Sequence, residues 1–259
     1  MRDRYHRRRQ TIYLLPNLLT TACLFSGFYA MVMAMSSQFT EAAVAIFVAM
    51  VLDSLDGRVA RLTNTASDFG ANYDSLSDMV SFGVAPALIV YVWVLKDMGK
   101  LGWFAAFIYV AGAALRLARF NTNIEVVDKR FFQGLPSPAG AALVAGFVWL
   151  ITDLRQTKII DLGVSELAWV VWGIMVYAGV TMVSNVPFYS FKDANLRRSV
   201  PFIFIGLGAV VLVLISQDPP SMLFVLVALY SVSGYAMYVW QKSHGRTVSL
   251  FADDERKDL

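Results

Sequence analysis

The 259-residue chain is 57% hydrophobic, 14% aromatic and only 16% charged, with a mean hydropathy of +0.56. A water-soluble protein of this length carries far more polar surface, and a membrane barrel would show strands of about ten alternating residues rather than long apolar runs. What remains is an integral membrane protein made of helices, in which the placement of basic residues says more than the net charge of +3.

Apolar runs of about 18 residues or more, each enough to cross ~30 Å of hydrocarbon as a helix, recur along the sequence. In chain order the expected spans are Leu14–Met35, Glu41–Val59, Asp68–Leu95, Trp103–Arg119, Pro138–Thr152, Leu167–Pro187, Val200–Ser216 and Ser221–Trp240. The expected fold class is all-α, a polytopic membrane helix bundle of about eight transmembrane helices. Residues 1–242 read as one membrane domain, with a core at about 12–190, extra helices at about 200–240 and a polar tail at 243–259. Arg7, Arg8 and Arg9 before the first run resemble the charged start of a signal peptide, but that run has the length of a full span and seven more follow. Cys23 is the single cysteine, so it forms no internal disulfide and reads as a packing residue.

Lys and Arg gather on one side of these spans. Arg2, Arg4 and Arg7 to Arg9, then Arg58 and Arg61, Arg116, Arg119, Lys129 and Arg130, Lys192, Arg197 and Arg198, and Lys242, Arg246, Arg256 and Lys257 share the amino-terminal face. Only Lys96, Lys100, Arg155 and Lys158 fall on the other. Both termini are therefore expected in the cytoplasm.

The second and third spans carry aspartates in pairs. Asp53 and Asp56 are one turn apart near the end of one, and Asp74 and Asp78 are one turn apart near the start of the next. Spacings of i, i+3 and i, i+4 put each pair on one helix face, and the short link Leu62 to Ser67 makes the helices antiparallel neighbours. Four carboxylates then converge where a single Asp costs about 2.5–3.5 kcal/mol on insertion scales. Arg58 and Arg61 are the only basic residues nearby in sequence, so a divalent cation is expected among the oxygens, with Mg²⁺ or Mn²⁺ the chemical match. Two such ions would overshoot, and a bound diphosphate would restore the balance. Without ions, the same aspartates would be interfacial residues that cap helices or pair with the arginines. Asp68, beside Ser67 at the start of the third span, fits such a capping role. Gly57 and Gly70, one beside each pair, cost roughly 1 kcal/mol each in a helix relative to Ala and suggest that something bulky approaches the backbone there.

The pattern Asp53-x-x-Asp56-Gly57-x-x-Ala60-Arg61, eight residues, then Gly70-x-x-x-Asp74-x-x-x-Asp78 resembles, without a gap, the signature of the CDP-alcohol phosphatidyltransferases. The resemblance implies a homodimeric integral membrane enzyme of the bacterial or archaeal cytoplasmic membrane, with a core of six helices and its active site facing the cytoplasm. Such an enzyme transfers a substituted phosphate from a CDP-alcohol, such as CDP-diacylglycerol, to a hydroxyl and releases CMP. By position it implies Asp53, Asp56, Asp74 and Asp78 as ligands of two metal ions, Mg²⁺ or Mn²⁺, Asp78 also acting as the general base. It further implies Asn17, Thr20, Gly57, Ala60, Arg61, Ser67 and Gly70 around the CDP-diacylglycerol headgroup. Pro16 would otherwise be a first-turn residue and Asn17 a polar helix end.

The signature does not name the acceptor. Arg116-Leu117-Ala118-Arg119-Phe120-Asn121 and Phe132-Gln133-Gly134-Leu135-Pro136-Ser137-Pro138-Ala139-Gly140-Ala141 are similar to the members of the family that use L-serine. In that reading Arg116 or Arg119 binds the carboxylate and Asn121 hydrogen-bonds the amino acid, while the loop from Thr122 to Gln133, with Glu125, Asp128, Lys129 and Arg130, either covers the site or is a solvated connection. The two arginines read equally as anchors to lipid phosphates, and glycerol 3-phosphate or inositol phosphate stay open as acceptors. His6 and His244 are the only histidines, and neither lies in a His-x-Lys motif, so a covalent phosphatidyl-histidine route is not expected. A transporter remains a rival of a different class, but one acidic cluster near one face, without a second copy in later spans, lacks the internal repeat that class favours. No nucleic-acid partner is indicated. Pro86 and Pro187 are expected to kink the third and sixth helices.

Overall fold

The computed structural model describes residues 2–65, 67–122, 131–158, 164–190 and 202–243. The charged segment with Glu125, Asp128, Lys129 and Arg130, the stretch with Lys192, Arg197 and Arg198, and the tail after Ser243 lie outside them, as do the side chains of Arg7, Arg8 and Arg9. Among the described residues, eight long helices and a short two-stranded antiparallel sheet make up the order α1 (Arg2–Met35), α2 (Phe39–Thr63), α3 (Asp68–Trp93), α4 (Lys100–Thr122), β1 (Phe131–Gln133), α5 (Ser137–Gln156), α6 (Val164–Val183), β2 (Pro187–Tyr189), α7 (Phe202–Gln217) and α8 (Pro219–Ser243). Helices α1, α3, α4, α5, α6 and α8 contain stretches long and apolar enough to cross a membrane. Helix α2 has 25 residues but includes Glu41, Asp53 and Asp56, and α7 has only 16. The chain is an all-α polytopic membrane protein.

The apolar faces of the helices meet in one core that includes Ile46, Phe82, Ile89, Tyr109, Val144 and Met175. Helix α1 packs on α2 and also on the acidic part of α3. Small residues let α1 and α3 approach: a methyl on Gly27 would stand 2.6 Å from the Ser81 Cα. Helices α4 and α6 cross through Gly112 and Gly179, whose missing side chains would otherwise strike the opposite backbone.

Helix α3 is interrupted by a π-helical turn at Met79–Val84, directly after Asp78. Pro86 has no N–H, so the Phe82 carbonyl four residues earlier loses its α-helical donor. The fully buried Tyr109 replaces it, its hydroxyl donating to Phe82 O at 2.9 Å. Ser77 donates to Thr20 O at 3.1 Å and Ser81 to Cys23 O at 3.1 Å, which fastens the wide turn to α1. Tyr109→Phe leaves the Phe82 carbonyl buried without this partner and should destabilise the protein by about 1–2 kcal/mol. A lower thermal unfolding midpoint in detergent is the readout; an unchanged one would show that the carbonyl finds another donor.

Three local expectations change. Pro187 does not kink the sixth helix, because α6 ends at Val183 and Pro187 starts β2, where Gln133 is its partner. Asp68 is not the cap of α3: Ser67 is, its hydroxyl accepting from the Gly70 N–H at 3.1 Å, and Asp68 lies in the first turn, where a negative charge suits the helix dipole. Pro16 lies inside α1, which begins at Arg2, and is not a first-turn residue. Asp218 caps α8 by accepting from Ser221 N at 3.3 Å, just ahead of Pro219 and Pro220.

Candidate active site

The acidic residues gather at one end of the bundle. One carboxylate oxygen from each of Asp53, Asp56 and Asp74 lies within 4.8 Å of the other two. Asp78 adds its carboxyl from one turn further along α3, in contact with Asp53 and close to Asp74. Asp56 is buried, and its Oδ2 stands 2.7 Å from the Thr20 hydroxyl, which also reaches Pro16 O at 3.1 Å. The α1 helix therefore orients one member of the cluster. Asp74 Oδ1 and Asp78 Oδ1 are buried and find no hydrogen-bond donor among the described residues. Such orphaned oxygens are costly unless a cation satisfies them, and an all-oxygen set at this spacing is one that a hard divalent cation accepts.

On one side of the carboxylates lies a cavity of about 190 Å³. Asn17, Thr20, Gly57, Ala60, Arg61, Ser67 and Gly70, all seven residues assigned to the headgroup from sequence, line it together with Asp56 and Asp74. A methyl on Gly70 would meet Ser67 Oγ at 3.2 Å and Asn17 Oδ1 at 3.6 Å, and one on Gly57 would meet Arg61 Nη1 at 3.5 Å. The two glycines therefore keep this wall low. Pro16, Thr65 and Ala71 complete the lining. Sequence reasoning missed Thr65 and Ala71, because a lone threonine in a turn and an alanine in a helix carry no signal of their own. The turn itself is built by Asn64 in the left-handed region (φ 52°), after which Thr65 N–H donates to Ala60 O.

Across the cluster, Arg116 reaches in from α4. Its half-buried guanidinium is within electrostatic range of Asp78 and Asp53, and it donates to the hydroxyl of the fully buried Ser137 at the start of α5. The cation facing the acids thus comes from far along the chain.

Arg119 and Asn121 are engaged elsewhere. Arg119 Nη2 donates to Val183 O at 2.8 Å, and Nη1 to Ser184 O at 3.5 Å and Asn185 Oδ1 at 3.3 Å, so this side chain satisfies carbonyls at the end of α6. The Asn121 amide donates to Ser75 Oγ at 3.0 Å and ties α4 to α3 between Asp74 and Asp78. The two-stranded sheet lies alongside: Phe132 pairs with Phe188, Gln133 donates to Asn185 Oδ1 at 2.9 Å, and Gly134 turns the chain at φ 79°, a conformation that favours glycine.

A family model described as CDP-alcohol phosphatidyltransferase matches residues 13–184, from within α1 to the end of α6. A protein of Helicobacter pylori strain J99 named CDP-diacylglycerol–serine O-phosphatidyltransferase is 38% identical over 229 residues, 88% of this chain and 92% of its own. Proteins of the same name from Methanocaldococcus jannaschii and Mycobacterium leprae are 35% and 29% identical, over 75% and 86% of this chain and 82% and 74% of theirs.

Proposed function

Because the chain belongs to the CDP-alcohol phosphatidyltransferase family, we propose that it moves the phosphatidyl group of CDP-diacylglycerol to the hydroxyl of L-serine and releases CMP. The observation that carries this reading is the two-sided site. A small cavity kept open by Gly57 and Gly70 lies on one side of four carboxylates, and a guanidinium hydrogen-bonded to Ser137 lies on the other. The first suits a nucleotide diphosphate and the second an amino-acid carboxylate, with the reacting phosphorus between them.

Asp53, Asp56, Asp74 and Asp78 would hold Mg²⁺ or Mn²⁺, two ions in our reading; the close spacing of Asp53, Asp56 and Asp74 and the orphaned oxygens of Asp74 and Asp78 support that role. When bound, the ions supply charge neutralisation for the diphosphate and Lewis acidity at phosphorus. Asn17, Thr20, Gly57, Ala60, Arg61, Ser67 and Gly70 receive the cytidine diphosphate part of the donor. Thr20 also holds Asp56 in place. Arg116 binds the serine carboxylate through two parallel N–H bonds, which brings the serine hydroxyl towards Asp78. Asp78 accepts the hydroxyl proton as the serine oxygen bonds to the phosphatidyl phosphorus and the bond from that phosphorus to CMP breaks. Arg119 and Asn121 shape this side of the site by holding α6 and α3.

The donor's acyl chains remain in the bilayer. Leu18, Leu62, Phe69 and Leu76, all more than half exposed, supply apolar surface on the helices that form the cavity. The site and both termini face the cytoplasm, where the basic residues concentrate, and the working unit is a homodimer.

CMP release by the purified protein from CDP-diacylglycerol tests the reading. Release should require L-serine and either Mg²⁺ or Mn²⁺. It should fall to background with EDTA and return when metal is restored in excess. Release with glycerol 3-phosphate or inositol phosphate in place of serine would discard the acceptor; release that survives chelation would discard the role given to the carboxylates.

A further inference from the structure

Helix α8 lies beyond the residues matched by the family model, yet it is seated firmly in the bundle. The Phe224 ring packs on Phe147 with centroids 5.5 Å apart. Tyr177 donates to Ser231 O at 2.9 Å, and the hydroxyls of Tyr235 and Thr181 are 2.8 Å apart. Gly234 admits the edge of Phe188, whose Cε1 would lie 2.5 Å from an added methyl. These contacts recur over three turns and fix both the depth and the rotation of the helix.

That rotation carries Tyr230 towards the acceptor side of the site. Its ring packs on Phe188 of β2 at 5.7 Å, and its hydroxyl donates to Tyr189 O at 3.2 Å. Its oxygen is also within electrostatic range of Arg116. A phenol has a single proton. With that proton directed to the Tyr189 carbonyl, any other hydrogen bond of the oxygen is one that it accepts. β2 pairs with β1, which leads through Gly134 to Ser137, the partner of Arg116. The phenol oxygen, the Ser137 hydroxyl and the guanidinium are thus held by one continuous framework.

We infer that Tyr230 is a specificity-determining residue of the acceptor subsite, its phenol oxygen receiving the ammonium group of an amino-acid acceptor whose carboxylate rests on Arg116. The inference deepens the acceptor reading above and depends on it. It gives the last helix a task in the reaction: an acceptor with an anionic group but no amine, such as a glycerol phosphate, leaves this contact unused.

Tyr230→Phe keeps the ring against Phe188 and removes only the oxygen. Its KM for L-serine should rise about tenfold or more, as expected when a hydrogen bond to a charged group is lost. The KM for CDP-diacylglycerol and the thermal midpoint should stay near wild type. Inhibition by glycerate, which retains the carboxylate and hydroxyls but lacks the amine, should be unchanged. An unshifted serine KM overturns the inference, and so does a parallel loss in serine KM, donor KM and glycerate inhibition, which marks a purely structural role. A wild-type enzyme that turns over without serine overturns the acceptor reading and this inference together, so the two failures are distinct.

Discussion

Asp78→Asn should lower serine-dependent CMP release about a thousandfold. The exchange keeps the size and shape of the side chain but replaces a group that can accept a proton and bind a cation with one that does neither well; general-base contributions alone reach about 10²- to 10⁴-fold. Misfolding is a poor alternative explanation, because Asp78 lies beside Asp53 and Asp74, and removing one negative charge relieves repulsion among them. The variant should therefore unfold at or above the wild-type temperature when metal is withheld. Asp68→Asn is the control: Asp68 is exposed in the first turn of α3, outside the cavity lining and the carboxylate cluster, and its loss should change the rate less than twofold. An Asp78→Asn enzyme with more than a tenth of wild-type activity would remove Asp78 from the chemistry.

Arg116→Lys should raise the KM for serine about 100-fold while the KM for CDP-diacylglycerol stays within a factor of about three. Lysine retains the positive charge facing Asp78 and Asp53, so the balance of the cluster is kept; what is lost is the planar fork that pairs with a carboxylate through two bonds. Breaking one partner of a buried charge-assisted pair costs about 2–5 kcal/mol, which brackets that factor. Arg119→Lys separates the two arginines. Lysine cannot span Val183 O and Ser184 O as the guanidinium does, so this variant should lose thermal stability and weaken both substrates together. If Arg119→Lys raised only the serine KM and left stability untouched, Arg119 would be the carboxylate ligand instead.

Much of this architecture was legible because its causes are local. Each span announces itself by apolar length, and the aspartate pairs lie on one face by helical spacing, so the helices and the convergence of acids follow from short windows of sequence. The cavity wall was readable for the same reason: Gly57, Ala60 and Arg61 lie on one helix, and Ser67 and Gly70 lie one turn apart. What stayed hidden depends on distant partners. Two three-residue strands are too short to show a period, so Pro187 read as a helix kink rather than the start of β2. Asp68 and Ser67 are both good caps, and only the geometry of the turn selects Ser67. Arg116 comes within electrostatic range of Asp78 because small residues such as Gly83 and Gly112 let α4 and its neighbours approach closely, and Tyr230 reaches the same region only through the docking of α8. Nothing within a few residues of either position signals the meeting.

The wide turn at Met79–Val84 acts as a phase adjuster. An α-helix advances about 100° per residue, so a rod with an unbroken repeat ties the direction of its first side chains to that of its last. By taking up extra length after Asp78, α3 frees its two halves from that tie: the acidic half can aim at the reaction centre while the apolar half keeps its own face on the core. Deleting one residue from this turn would leave composition and span length almost unchanged, yet it would swing Asp74 and Asp78 by about a quarter of a circle relative to the rest of the helix. The register of a single helical turn thus governs whether the carboxylates meet.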